Sequence, residues 1–360
     1  MYQIKKIDTV NAPEEIIEKI LDYVEKAVKQ YNPEDNLIPR NALKDALRNP
    51  YPTQETIKYF AFKGDEVIGE ARFSYEKLKV NTNPEYCRMY VRVLKEHTQK
   101  GIGTALLSKL AKEANKMKKS RVIAWVRQGA VKHYGKEWVE KIGFRRVMTE
   151  YKNVLYPENV NVKKIEQIIN EKKEKNKDFS FQVLTEEEYY QRILDDEDFR
   201  KEAADFFTET SNLIPRGDTQ ENDYLITPED MIKNAQRDLK TKTWSGIIIL
   251  ALKDNKLIGF SETYFSILEK QKPVFYTGKT AVRKEFQGRG IASLLKALMI
   301  KELVKRNFSR LETENASTNK VMLHINYKLG FKKIYEFLKY EGTVEQVNAY
   351  LNKKKSSHFL

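Results

Sequence analysis

The pentapeptide NLIPR occurs twice, at 36–40 and at 212–216, and longer echoes recur in step with it. DEVIGEARFSY (65–75) answers DNKLIGFSETYF (254–265), EHTQKGIGTALL (96–107) answers EFQGRGIASLL (285–295), and KIGFRRV (141–147) answers KLGFKKI (328–334). Gly69 pairs with Gly259, Gly101 with Gly290 and Gly143 with Gly330, so the offset drifts only from 190 to 189 to 187. Echoes in one order at slowly drifting spacing mark a duplication with small insertions, and a period this long excludes a solenoid. The largest insertion falls between Arg216 and Gly259. The chain therefore folds as two related units, for which 360 residues suffice to bury two cores.

Each unit repeats one layout. A short alternating strand (2–7; 179–184) precedes helical patterning (13–31; 186–207) and NLIPR. More helix follows, then a strand pair (56–75; 244–265) around a Lys-Gly-Asp or Lys-Asp-Asn turn, which is a hairpin pattern. A further strand (86–94; 275–282) leads through a glycine-containing turn into an amphipathic helix, and a strand, a helix, a strand and a charged helix complete the unit. This order predicts α/β (α+β) domains, each a central mixed sheet flanked by helices. The expected division is an N-terminal domain at 1–155, a charged helical linker at 156–178, a second domain at 179–342 and a basic helix and tail at 343–360.

Composition narrows the class. The longest apolar run, GIIILAL (246–252), is far short of a bilayer span and reads as a buried strand. The N-terminus has no export pattern and Cys87 is the single cysteine, so the expectation is a cytoplasmic protein with no internal disulfide. Four scattered histidines form no metal-ligand spacing, and no metal is expected. The net charge of +14 is dispersed along the chain, the pattern of lysines solvating helix faces rather than of a nucleic-acid face.

The chemistry concentrates in TAVRKEFQGRGIASLLKALMIKEL (280–303). A strand ends near Val282, the basic loop Gln287, Gly288, Arg289, Gly290 follows, and a helix begins with Ile291, Leu294 and Leu295 on one face. The first amides of a helix lack internal partners and sit at its positive dipole end, and glycines let a phosphate approach them. Ser293 adds a hydroxyl. The spacing fits neither the dinucleotide fingerprint nor a P-loop.

Gln287-x-x-Gly290-x-Ala292 after a Val-ending strand resembles the acyl-CoA motif of the GCN5-related N-acetyltransferase (GNAT) superfamily. Downstream, Thr313, Asn315, Asn319, Met322, Ile325 and Asn326 before Leu329-Gly330-Phe331 resemble tandem members of the mycothiol synthase-like group. The resemblance implies two tandem domains of that fold and acetyl-CoA as acyl donor, with an acetyl group passing to a small-molecule or peptide amine by direct attack on the thioester. By the same resemblance Gly288, Arg289, Gly290, Ile291, Ala292 and Ser293 hold the pyrophosphate with Gln287. The backbone around Val282 contacts the pantetheine arm and polarises the thioester carbonyl, and Asn319 contacts the arm. An ammonium cannot attack, so a general base is needed: Glu262 is the first candidate, with Glu312 and Glu314 as rivals. Many members use a Tyr as acid where this chain has Asn326; Tyr327 is adjacent, but one helical step turns it about 100° away.

In the first unit Thr98 replaces Gln287 and Val139 occupies the Tyr position. His133, Tyr134 and Cys87 offer polar groups there without a pattern that activates them. The expectation is a catalytically degenerate first unit. Arg40 and Arg216 of the NLIPR repeats are placed either to grip an anionic group or to bond a loop carbonyl. Two alternatives to the enzyme stay open: a non-catalytic acyl-CoA sensor, and a tRNA-dependent aminoacyltransferase or RNA-binding protein on the same fold.

Overall fold

The structure, a computed structural model, describes residues 1–129, 131, 134–241, 243–269 and 272–356. The first unit runs β1 (Gln3–Lys6), α1 (Glu14–Tyr31), α2 (Arg40–Arg48), β2 (Gln54–Lys63), β3 (Glu66–Glu76), β4 (Tyr86–Val93), α3 (Ile102–Lys116), β5 (Arg121–Gln128), α4 (Gly135–Ile142) and β6 (Arg145–Leu155). Helix α5 (Val162–Lys175) follows. The second unit runs β7 (Ser180–Thr185), α6 (Glu186–Asp195), α7 (Glu197–Asn212), α8 (Pro228–Lys240), β8 (Trp244–Lys253), β9 (Lys256–Ser266), β10 (Val274–Val282), α9 (Ile291–Lys305), β11 (Arg310–Ala316), α10 (Lys320–Lys328) and β12 (Lys332–Thr343), and α11 (Val344–Ser356) closes the chain. The hairpin turns form where expected, with Gly64 in one and Asp254 and Asn255 in the other at positive φ.

The strands form one 12-stranded sheet in the order β1-β2-β3-β4-β5-β12-β6-β11-β10-β9-β8-β7. The two units exchange their last strands: β12 lies antiparallel between β5 and β6, and β6 pairs with β11. The helices that follow are exchanged with them. Ile165, Ile168 and Ile169 of α5 join the core formed by α9 and the second unit's strands, and Val344, Val347 and Leu351 of α11 join the core around Leu106 and Leu110 of α3. The segment expected as a linker is thus a packed helix whose apolar stripe at i, i+3, i+4 lies among lysines. Spatially, the boundary between units falls before β6 and before β12, not where the sequence repeat ends.

The insertion before α8 has a matching role. Gly217 and Asp218 dock on Val147, Asn222 bonds Asn83 at 2.7 Å, and Glu221 forms a buried ion pair with Lys339 at 2.7 Å. Both arginines of the NLIPR repeats are consumed structurally: Arg40 pairs with Glu18, Asp22 and Glu25, and Arg216 binds Asp223 and the Asn222 carbonyl. Cys87 is buried, donates to the Arg121 carbonyl at 3.3 Å and has its thiol pushed up to about 12 by burial, a structural cysteine. Among the described residues no helix is long and apolar enough to cross a membrane.

Strand exchange ties the stabilities of the units together. Leu338 of β12 is fully buried in the first unit's core, so Leu338→Ala is expected to destabilise the protein by about 2–5 kcal/mol. Scanning calorimetry should show wild type and variant each unfolding in one transition; two transitions, with only one displaced, would contradict the coupling.

Candidate active site

At the end of β10 the turn Lys284–Phe286 leads through Gln287, Gly288, Arg289 and Gly290 into α9. Gly288 and Gly290 have φ of 78° and 81°, a conformation that costs a residue with a Cβ about 1–2 kcal/mol. Among the described residues no side chain caps α9, so the amides of Ile291, Ala292 and Ser293 remain at its positive end. Gln287 closes the loop by donating to the Val282 carbonyl at 3.1 Å. The Arg289 guanidinium lies 5.5 Å from the Phe286 ring centre, and Asn176 donates to the Arg289 carbonyl at 3.4 Å. Lys172 of α5 passes over the loop: a Cβ on Gly290 would stand 2.8 Å from its Cδ and 3.3 Å from its Nζ. The result is an uncapped helix start with a cationic rim.

Beside this cradle the sheet opens. β10 and β11 run parallel and pair at Val274–Arg310, Phe275–Leu311 and Tyr276–Glu312, then part, although β10 continues to Val282 and β11 to Ala316. β10 carries a bulge between Thr277 and Thr280 where it pairs with β9. A bulge bends its strand and re-aims backbone groups. The parting leaves a wedge whose wide end lies at the α9 N-terminus.

Glu262 of β9 sits against the bulge. Its Oε1 accepts from the Lys279 amide at 2.9 Å, and the same atom would collide with a Cβ on Gly278. Burial pushes the Glu262 carboxyl up, opposed by that hydrogen bond and the Lys279 charge. Lys279 is pushed down to about 8 by burial and donates to Ser211 Oγ at 2.6 Å. Glu186 is pushed up to about 7 by burial and by the negative charges of Asp238 and Glu262. The rivals are committed elsewhere: Glu312 is buried between Lys152 at 2.9 Å and Arg310 at 2.6 Å, and Glu314 pairs with Lys152 at 3.0 Å.

Of the expected acid pair, Asn326 is fully buried and donates to Asn315 of β11 at 2.6 Å, with its Oδ1 lacking a partner among the described residues. Tyr327 is 45% exposed. The one-residue step on α10 buries Asn326 and leaves Tyr327 exposed. Asn319 caps α10, accepting from the Met322 amide at 3.1 Å.

The first unit keeps the backbone of the cradle, with Gln99 at φ 59° and Gly101 at φ 79°, and β4 parts from β5 after Arg88–Ile123. Its chemistry differs. β4 pairs with β3 without a bulge, Arg72 stands where the second unit has Glu262, and Trp138 lies 3.8 Å from the Cβ position of Gly103 in the first turn of α3. His133 lies outside the described residues. Sequence reasoning missed Lys172, Lys279 and Glu186. Lys279 follows Gly278 in the bulge, but no local pattern announces that Lys172, from the other side of the exchange, reaches the loop.

The family model described as "Acetyltransferase (GNAT) family" matches residues 21–144 and 185–331. The chain is similar in fold to a solved tandem GNAT protein from the clavulanic acid biosynthesis pathway, with a TM-score of 0.71, 14% identity, and 96% of this chain and 99% of that one covered. It is also similar to a GCN5-related N-acetyltransferase from Sphaerobacter thermophilus, with a TM-score of 0.61, 13% identity, and 95% and 96% covered. No curated protein matches it significantly in sequence. The match is to the family as a whole rather than to the mycothiol synthase-like group.

Proposed function

Because the chain belongs to the acetyltransferase (GNAT) family, we propose that its second unit transfers an acyl group from acyl-CoA, with acetyl-CoA the first donor to test, to the amine of a small molecule or peptide. The observation that carries this is the conjunction, in that unit, of an uncapped cradle, a parted β10–β11 cleft and a carboxyl packed on the bulge between them. The amides of 288–293 hold the pyrophosphate, with Lys172 and Arg289 supplying positive charge. The arm lies along β10 between the bulge and Val282.

Glu262 takes the proton from the attacking ammonium. Its raised pKa moves it toward the working range of a general base, and Glu186 adds negative charge that favours a cationic acceptor. Backbone amides at the bulge polarise the thioester carbonyl, an interaction worth most in a site that excludes water. Asn326 has no proton to give up; in this reading its amide is a hydrogen-bond group for the leaving thiolate, which takes its proton from solvent. The first unit, with Arg72 in place of the base and Trp138 against the start of α3, supports the sheet.

The test is release of CoA thiol from acetyl-CoA over a panel of amines, with the acylated amine identified by mass spectrometry. Amine-dependent release supports the reading. Tight acetyl-CoA binding with no transfer to any amine would favour a sensor, which is the second reading because Asn326 replaces an acid. For the rim, Lys172→Ala is expected to weaken acetyl-CoA binding about threefold to tenfold, in line with loss of one partly screened phosphate contact of about 1 kcal/mol. Unchanged affinity in a calorimetric titration would remove Lys172 from the cradle.

A further inference from the structure

Glu262 and Tyr264 stand two residues apart on one face of β9, about 7 Å along the strand. Tyr264 lies beside Tyr276 of β10, with ring centres 5.5 Å apart and planes 23° from parallel. Trp244 of β8 meets both, its ring 5.9 Å from Tyr264 and 6.2 Å from Tyr276. Gly246, the cross-strand partner of Tyr264, presents no side chain, and Glu186 fills that gap: a Cβ on Gly246 would stand 3.2 Å from the Glu186 Cβ. The three rings form a platform on the same face as Glu262. Tyr276 is the last residue of β10 paired with β11 before the strands part, so the platform borders the cleft. Tyr264 is 40% exposed, and Trp244 and Tyr276 are half-buried.

Elsewhere on this basic chain, aromatic rings near the surface are met by the chain's own cations: Arg127 lies 3.7 Å from the Tyr335 ring centre, Arg237 4.1 Å from Tyr51 and Lys333 4.3 Å from Tyr151. Among the described residues no lysine or arginine lies over Trp244, Tyr264 or Tyr276. Carboxylates dominate there instead. Glu262, Glu269, Glu312 and Glu314 act on Tyr264 or Tyr276, against Lys152 and Arg310. Both cations are already held, Lys152 between Glu312 and Glu314, and Arg310 by Glu312. The first unit has no such platform. Gln54, Ser74 and Arg88 stand at the matching register positions, and Arg88 is paired with Glu76 at 2.5 Å.

We propose that the platform holds a second, non-reacting ammonium of the acceptor while Glu262 receives the reacting one, so that the favoured acceptors are diamines. The negative faces of the rings and the surplus of carboxylates attract a cation that the fold itself does not supply. The spacing of about 7 Å along β9 is one that a chain of four or five methylenes bridges. An alkylamine with one charge leaves the platform empty, and an arylamine covers the rings but leaves the carboxylates without a counter-charge. The proposal rests on the second unit being an acyltransferase with Glu262 beside its acceptor.

CoA release from acetyl-CoA by the full-length protein is measured with putrescine, n-butylamine and phenethylamine. The first two match in chain length and differ in the second ammonium, and the third carries a ring in its place. The value of kcat/KM is expected to be about tenfold or more higher for putrescine, with the difference in KM, the scale of one cation–π contact backed by a carboxylate. Tyr264→Ser, which installs the first unit's residue, should lower the putrescine value about tenfold and leave the butylamine value unchanged, and Tyr264→Phe should keep the preference. Equal values for the three amines, a preference for phenethylamine, or a putrescine preference that survives Tyr264→Ser would overturn the proposal while leaving the acyltransferase reading in place. If no amine releases CoA, the transfer reading fails instead, and calorimetric titration with putrescine in the presence of CoA decides the platform. Binding weakened by Tyr264→Ser upholds it; no binding, or binding that the variant keeps, overturns it.

Discussion

Gly290→Glu is expected to abolish acetyl-CoA binding, whereas Gly101→Glu is expected to leave it intact. The backbone strain of the two substitutions is matched, since the glycines have φ of 81° and 79° and both start a helix with no side-chain cap. The surroundings are not matched. A side chain at 290 meets Lys172, so the new carboxylate pairs with the lysine, occupies the anion's place and repels the pyrophosphate; at 101 there is open space. Loss of the cradle's main anion contact should weaken binding by about 100-fold or more, close to 3 kcal/mol. A titration in which Gly101→Glu is the damaged variant would move the cofactor site to the first unit.

Glu262→Gln should lower kcat/KM by about 10²–10⁴-fold, the range for removal of a general base, while acetyl-CoA affinity holds. The pH profile separates this from a packing defect. Glu262 must be ionised to accept a proton, and burial raises its pKa, so wild-type activity should climb with pH through a value above the ordinary carboxylate range. The glutamine variant should lose that limb. Lys279 opposes the rise with its charge, so Lys279→Met should shift the limb to higher pH. A glutamine variant that keeps the wild-type profile would assign the base elsewhere, with Glu186 next in line because it is pushed up to about 7.

The sequence revealed the duplication, the order of elements and the glycine loop because each is written locally: in repeated words, in apolar periodicity, in glycines before a helix. It did not reveal who pairs with whom. β6 and β12 carry the same alternation whether they close their own unit or the other one, so strand exchange leaves no local mark. The stripe Ile165, Ile168, Ile169 was visible but hidden in a lysine-rich segment whose composition suggested a solvated linker. Arg40 and Arg216 carried two readings in sequence, and packing decided for structure. The bulge of β10 depends on tertiary pairing, with Gly278 its one sequence trace.

If only the second unit builds an acyl-CoA site, each chain holds one. The most direct measurement is the stoichiometry of acetyl-CoA binding to the wild-type chain by calorimetric titration. The expected result is one site per chain. Two sites of comparable affinity, or none, would contradict it.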